Sequence, residues 1–168
     1  MIMTAVPTPH PLTDQPAWNW VEALTEFTAT TPTYWLTVSG TDGRPHTRPI
    51  LAVWSHGALC FACSPESAKH RLLNADPRVS LGFTSHNADA VVEGTAERLV
   101  DHDALTRVSA AYAERYGWAP VPGSGQFTGP EGAPTAGSPP YRVFAVYPTA
   151  VYTFPASETA AGATRFAF

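Results

Sequence analysis

Lys69 is the only lysine in the chain, and its neighbours give it chemical meaning. It follows Ser64, Pro65 and Ser67 at the expected start of a short helix, and Arg48 lies on a strand of the same meander. The first amides of a helix have no partner inside it, and the helix dipole places partial positive charge there. Hydroxyls, open amides and a cation together make a seat for a phosphate or a similar anion. Glu66 works against this reading, because a carboxylate in the first turn would itself satisfy the dipole. The competing reading is an ordinary exposed helical lysine.

The other candidates are weaker. Cys60 and Cys63 have the spacing of a redox or zinc pair. On a strand, however, residues three apart point to opposite faces. No second cysteine pair stands nearby, and His10, His46, His56, His70, His86 and His102 show no ligand spacing, so no metal is expected. Asp101 and Asp103 read as helix caps rather than a catalytic pair. Glu93 and Glu97 alternate with apolar residues and read as a solvated strand face. Signatures of a P-loop, a nucleophile elbow or a dinucleotide fold are missing.

The elements that must position Lys69 are mostly strands. Residues 1–16 are rich in Pro and Thr and read as a flexible arm, and 17–168 as a single domain. Thr13 or Asp14 is the expected cap of a first helix running to about Ala29, with Ala17, Trp20, Val21, Leu24 and Phe27 at helical spacing. Strands follow at 33–39, 45–54 and 58–63, joined by turns at 40–43 and 55–57. A helix over 64–74 comes next, then strands at 78–83 and 90–100, with Gly94 a bulge or a point of close approach. A helix capped by Asp101 or Asp103 runs to about Tyr116. The Pro/Gly-rich stretch 117–140 reads as a lid, a binding loop or a disordered segment. Late strands are expected at 141–146, 151–154 and 164–168, with Pro148 separating the first two. This describes a mainly β chain: six to eight mostly antiparallel strands in a barrel, with two to three helices.

Composition narrows the partners. The chain has 168 residues, a net charge of −4 and only 14% charged residues. Basic residues are scattered, which disfavours nucleic acid and acidic membrane surfaces. The low charge content fits a surface partly covered by a second copy. No apolar run approaches the ~20 residues of a membrane span. The first residues lack the pattern of a signal peptide, so a cytoplasmic protein with free thiols is expected.

Several segments together resemble the pyridoxamine 5′-phosphate oxidase-like proteins. They are Leu36-Thr-Val, Asp42-Gly-Arg-Pro-His46, Arg48-Pro49, Val53-Trp54, Gly57-Ala-Leu-Cys-Phe61, Ser67-Ala-Lys69, Asn74-Ala-Asp-Pro-Arg-Val79 and Val92-Glu-Gly-Thr-Ala96. The resemblance covers about Tyr34 to Trp118, and the closing Thr164-Arg-Phe-Ala-Phe168 is similar to a C-terminal strand in one branch. It implies a split β-barrel, a homodimer, and FMN or the 8-hydroxy-5-deazaflavin coenzyme at the subunit interface. It also implies that His46, Thr47, Arg48, Pro49 and Ile50 line the cofactor. Arg48, Lys69 and Ser67 would hold its phosphate, and Ala62 and Cys63 would flank its ring. Tyr116, Trp118, Phe127 and Arg165 are the expected substrate pocket.

Some residues depart from the family pattern. Ala62 and Cys63 stand where the family carries an aromatic and a threonine. Val53 replaces a lysine, and Ala68 replaces a second phosphate arginine. The basic C-terminal substrate motif of the oxidases is missing. These departures point to the substrate-diverse flavin and deazaflavin branch, with hydride transfer to or from a small conjugated or cyclic substrate. The alternative is a non-catalytic barrel that binds flavin, haem or another planar ligand.

Overall fold

The computed structural model describes residues 6–133, 136–156 and 161–168. In chain order its elements are β1 (Thr8–Pro11), α1 (Trp20–Ala29), β2 (Tyr34–Ser39), β3 (Pro45–Ile50), β4 (Ala52–Ser55), β5 (Ala58–Cys63), α2 (Ala68–Ala75), β6 (Arg78–Thr84), β7 (Ala88–Leu99), α3 (His102–Tyr116), β8 (Val121–Pro122), β9 (Phe127–Thr128), β10 (Arg142–Pro155) and β11 (Thr164–Ala167). The main sheet runs β1-β11-β10-β7-β6-β2-β3, with β5 joined to β10 and β4 to β5. Every pairing in it is antiparallel. The chain is thus mainly β with three helices, an open-sided barrel as expected, though with more strands than the sequence shows.

The split lies in β10. This strand pairs with β7 along its whole length. On its other edge, Arg142–Val146 pair with β5, whereas Ala150–Thr153 pair with β11. Pro148 sits in the gap between these two partners, so its missing N–H is not needed on that edge. That is why it does not end the strand: residues 142–155 form one strand with a register shift between Pro148 and Ala150, where two strands are expected from sequence. The expected strand 45–54 departs in the opposite way. It breaks at Leu51, so that β3 pairs with β2 while β4 pairs with β5. Leu51 therefore bridges the two branches without a continuous ladder between them.

Two apolar layers flank the β4–β5–β10 branch. Phe27, Leu36, Leu59, Phe61, Leu81, Val92 and Phe166 fill the barrel interior. Cys60, Val108, Tyr112, Phe127 and Val143 pack beneath α3 on the outer face. Alternation along β5 produces both layers, since Leu59 and Phe61 point inward and Cys60 outward. Cys60 and Cys63 consequently belong to different clusters and are free thiols.

Burial holds the Cys60 thiol unionised and pushes its pKa from 9.0 up to about 12. The stability this gives is intact below pH 9 and is lost as pH rises towards 12. Between pH 9 and 11 the loss amounts to about 2–3 kcal/mol. Cys60→Ala carries a cavity cost at every pH but lacks this slope. Urea unfolding at both pH values measures the difference between the two slopes, and equal slopes would contradict it.

Two expectations near the N-terminus are corrected. Within the presumed arm, Thr8–Pro11 pair with β11 as an edge strand, whose exposed residues give no alternating signal. The first helix is capped by Asn19, whose side chain accepts from the Val21 amide at 2.8 Å, and not by Thr13 or Asp14. Backbone contacts override the earlier cap. The Leu12 amide donates to the Ala163 carbonyl, the Gly162 amide donates to the Pro16 carbonyl, and the Trp18 amide donates to Thr164 Oγ1. These hold residues 12–18 in an irregular, non-helical path of bends. The 117–140 stretch carries the short β8–β9 ribbon, which pattern alone does not reveal.

Candidate functional site

The break at Leu51 opens a cavity of about 450 Å³ between the end of β3, the end of β5, the start of α2 and the end of α3. α3 is tied to the break by two hydroxyls. Tyr112 donates to the Leu51 carbonyl at 2.9 Å, and Tyr116 donates to the Ala52 carbonyl at 3.0 Å. These bonds satisfy the carbonyl of Leu51, which belongs to neither strand, and that of Ala52, the first residue of β4. Burial raises the pKa of both phenols, so each keeps its proton and remains a donor. Tyr112→Phe leaves the Leu51 carbonyl short of a donor and is expected to cost about 1–3 kcal/mol. Chemical denaturation measures it, and a change within error would remove this tie from the account.

At the other end of the cavity, α2 starts at Ala68. Ser67 is its cap: Ser67 Oγ accepts from the His70 amide at 3.2 Å and donates to the Ser64 carbonyl at 2.7 Å. The expected cap at Ser64-Pro65 therefore shifts by one turn. The shift leaves Glu66 exposed and ahead of the cap, with no acidic residue in the first turn. The positive helix end is not neutralised from within.

Lys69 is partly buried beside this end. Burial lowers its pKa, the neighbouring Cys63 acts in the opposite direction, and Arg48 lowers it further. The Cys63 thiol is itself pushed up by burial, with Lys69, Ser67 and Arg98 opposing. Among the described residues the ion pairs are Arg44–Asp42 and Arg78–Asp76, so Lys69 has no carboxylate partner.

The expected site residues separate clearly. Pro49, Ile50, Ala62, Cys63, Ser67, Lys69, Tyr116 and Trp118 border one cavity. His46, Thr47 and Arg48 lie on the same edge strand but outside the lining. Thr47 Oγ1 is bonded to Thr37 Oγ1, and an Arg48 guanidinium nitrogen donates to the Thr47 carbonyl at 2.8 Å. Phe127 does not reach the cavity, because it is fully buried against the Tyr112 and Trp118 rings. Arg165 is in β11, opposite Tyr152 and His10, and is likewise outside the lining. Sequence reasoning missed Leu51, Tyr112 and the loop residues Thr31, Ala133 and Ala136 as lining. Tyr112 was accessible, since it lies four residues before Tyr116 on one helix face. The loop residues come together only through the fold.

No group of three or more His, Cys, Asp or Glu side chains among the described residues could hold a metal ion. No helix is long and apolar enough to cross a membrane. The family model described as pyridoxamine 5′-phosphate oxidase matches residues 21–154. The chain belongs to the pyridoxamine 5′-phosphate oxidase family.

Solved structures share the fold of this family member at low identity. A conserved hypothetical protein from Mycobacterium tuberculosis is 20% identical, with 87% of this chain and 90% of that one covered and a TM-score of 0.64. A protein described as an F420 reductase is 22% identical, covering 77% and 94%, with a TM-score of 0.55. An FAD-binding protein from Mesorhizobium loti is 19% identical, covering 96% and 98%, with a TM-score of 0.57. Among curated proteins, none matches by sequence.

Proposed function

We propose that this family member is an oxidoreductase that seats a flavin-type cofactor, the 8-hydroxy-5-deazaflavin coenzyme or FMN, in the Lys69 cavity and acts on a small conjugated or cyclic organic substrate. One observation carries the reading. A single cavity joins an unpaired, partly buried cation at a helix start to an aromatic wall of Tyr112, Tyr116 and Trp118. The F420 reductase and the FAD-binding protein that share the fold support it.

The donor set fits such a cofactor. Lys69, Ser67 and the open amides of α2 would hold its phosphate, and Arg48 adds positive potential from β3. Ile50, Ala62 and Cys63 would face its ring. When bound, the cofactor supplies hydride transfer. The chain's own residues orient the reactants and exclude water. Tyr116 is committed to the Ala52 carbonyl, and His46 does not border the cavity, so neither is placed to give a substrate proton. The 117–140 loop, through Ala133 and Ala136, serves as the lid.

A second copy completes the site in this reading. β3 ends the sheet and is exposed at every position except Ile50. An edge strand of this kind is normally covered. Light scattering at micromolar concentration is expected to return the mass of a dimer, and a monomer mass would count against the shared site.

The deciding experiment titrates the protein with FMN and with the deazaflavin in parallel, then follows turnover of enones and quinones with the tighter cofactor. Binding with turnover supports the proposal. Binding without turnover would favour a storage or sensing protein, and failure to bind either would overturn it.

A further inference from the structure

A second cavity, of about 590 Å³, opens at the N-terminal end of α3, whereas the first lies at its C-terminal end, and the two share no lining residue. Its size falls within the range of small-molecule pockets, roughly 300–1,000 Å³. It exists because the facing residues are small. Ala58 and Cys60 of β5 and Ala145 of β10 form the floor, and Ala104 of α3 stands above them. Val108 and Leu99 complete an apolar interior.

The polar groups at its rim are mostly donors. Arg107 comes from α3 and Tyr147 from β10. Among the described residues, neither the Arg107 guanidinium nor the Tyr147 hydroxyl has a hydrogen-bond or ion-pair partner. Burial is the main cause that raises the Tyr147 pKa, which keeps the phenol a donor. His56 occupies the β4–β5 turn in the left-handed region, with φ of 49°, and its Nδ1 lies 3.2 Å from Ser55 Oγ. The one carboxylate at the rim, Asp101, accepts from the Ala104 amide at 2.8 Å as the α3 cap. Glu97 lies close enough to Tyr147 to influence its ionisation but does not line the cavity.

We propose that this cavity binds a small aromatic carboxylate, its ring held by the half-buried Leu99, Ala104 and Tyr147 side chains above the Ala58–Cys60–Ala145 floor and its carboxylate between Arg107 and the Tyr147 hydroxyl. A guanidinium presents a planar fork that matches a carboxylate with two parallel hydrogen bonds. One cation beside Asp101 and Glu97 suits a monoanion. A dianionic phosphate would meet repulsion from both carboxylates that a single arginine does not offset. The one polar side-chain group of the floor, the Cys60 thiol, is turned to the Ala58 carbonyl, so the body of the ligand is apolar.

The test uses 2-naphthoate and its neutral analogue 2-naphthamide, titrated by calorimetry against the full chain. 2-Naphthoate is expected to bind saturably, and the amide at least tenfold more weakly. Arg107→Ala should weaken 2-naphthoate by about tenfold or more, and Ala104→Trp, which fills the cavity from a half-buried helix position, should abolish binding. Lys69→Ala should leave the affinity unchanged, which separates this site from the flavin cavity. Circular dichroism confirms that each variant is folded, and if Ala104→Trp is not, Arg107→Ala and the amide carry the test. The proposal is overturned if 2-naphthoate does not bind, if Arg107→Ala binds it as well as the parent, or if Lys69→Ala is the substitution that removes binding.

Discussion

Lys69→Ala is expected to weaken binding of a phosphate-bearing flavin or deazaflavin by about 1.5–3 kcal/mol, the value of a charged hydrogen bond. In affinity this is roughly ten- to more than a hundredfold. The effect is large because nothing nearby substitutes for Lys69. Ala68 carries no charge, Glu66 lies ahead of the cap, and Arg48 sits outside the cavity lining. The lysine is also partly desolvated before any ligand arrives, as its lowered pKa shows. An incoming phosphate therefore gains a cation whose desolvation has already been met in part. The sign of the pH dependence follows. Only the ammonium form binds an anion well, and its pKa lies below that of an ordinary lysine. Affinity should thus fall at a lower alkaline pH than for an exposed lysine, while Lys69→Ala shows no such fall. Lys69→Arg should recover part of the loss. Fluorescence titration of each variant over pH measures all three, and unchanged affinity in Lys69→Ala would remove this residue from the site.

What was legible in the sequence was local. Val79, Leu81 and Phe83 alternate with exposed or half-buried residues in β6, and β7 alternates over most of its length, so both strands can be read directly. The placing of Lys69 beside the Ser67 cap is equally local, since cap and cation lie within one turn. The misreadings arise where a distant partner decides the outcome. Pro148 looks like a strand end until β5 and β11 are seen to share the edge of β10 on either side of it. Thr13 and Asp14 are sound caps, but hydrogen bonds to residues 162–164 keep that segment out of a helix. Phe127 and Tyr116 are neighbours in the aromatic region of the sequence, yet one is sealed behind Trp118 and the other faces the cavity. Which side of an aromatic cluster is open depends on how α3 docks, and no spacing rule encodes that.

Gly94→Ala is expected to destabilise the chain by about 3 kcal/mol, at the upper end of the usual cost of forcing a methyl group into a packed interior. Gly94 lies in the middle of β7, paired with Val79 on one side and Pro148 on the other. A Cβ there would collide with the Tyr147 carbonyl oxygen and lie 3.1 Å from Val146 Cγ1. The oxygen belongs to the backbone and cannot rotate away as a side chain would, so β10 must move. It would move at the point where its pairing passes from β5 to β11. The shift would therefore reach Ala62 and Cys63, which pair with Val143 and Arg142 and line the Lys69 cavity. Weaker cofactor binding should accompany the lower stability. Gly82→Ala provides the control, because a Cβ at Gly82 meets nothing within 4 Å. Fewer accessible states in the unfolded chain should then make Gly82→Ala neutral or slightly stabilising, by up to about 1 kcal/mol. Denaturant unfolding of both variants decides the matter: if Gly94→Ala is as stable as Gly82→Ala, the close approach of β7 to the fork in β10 does not constrain the barrel.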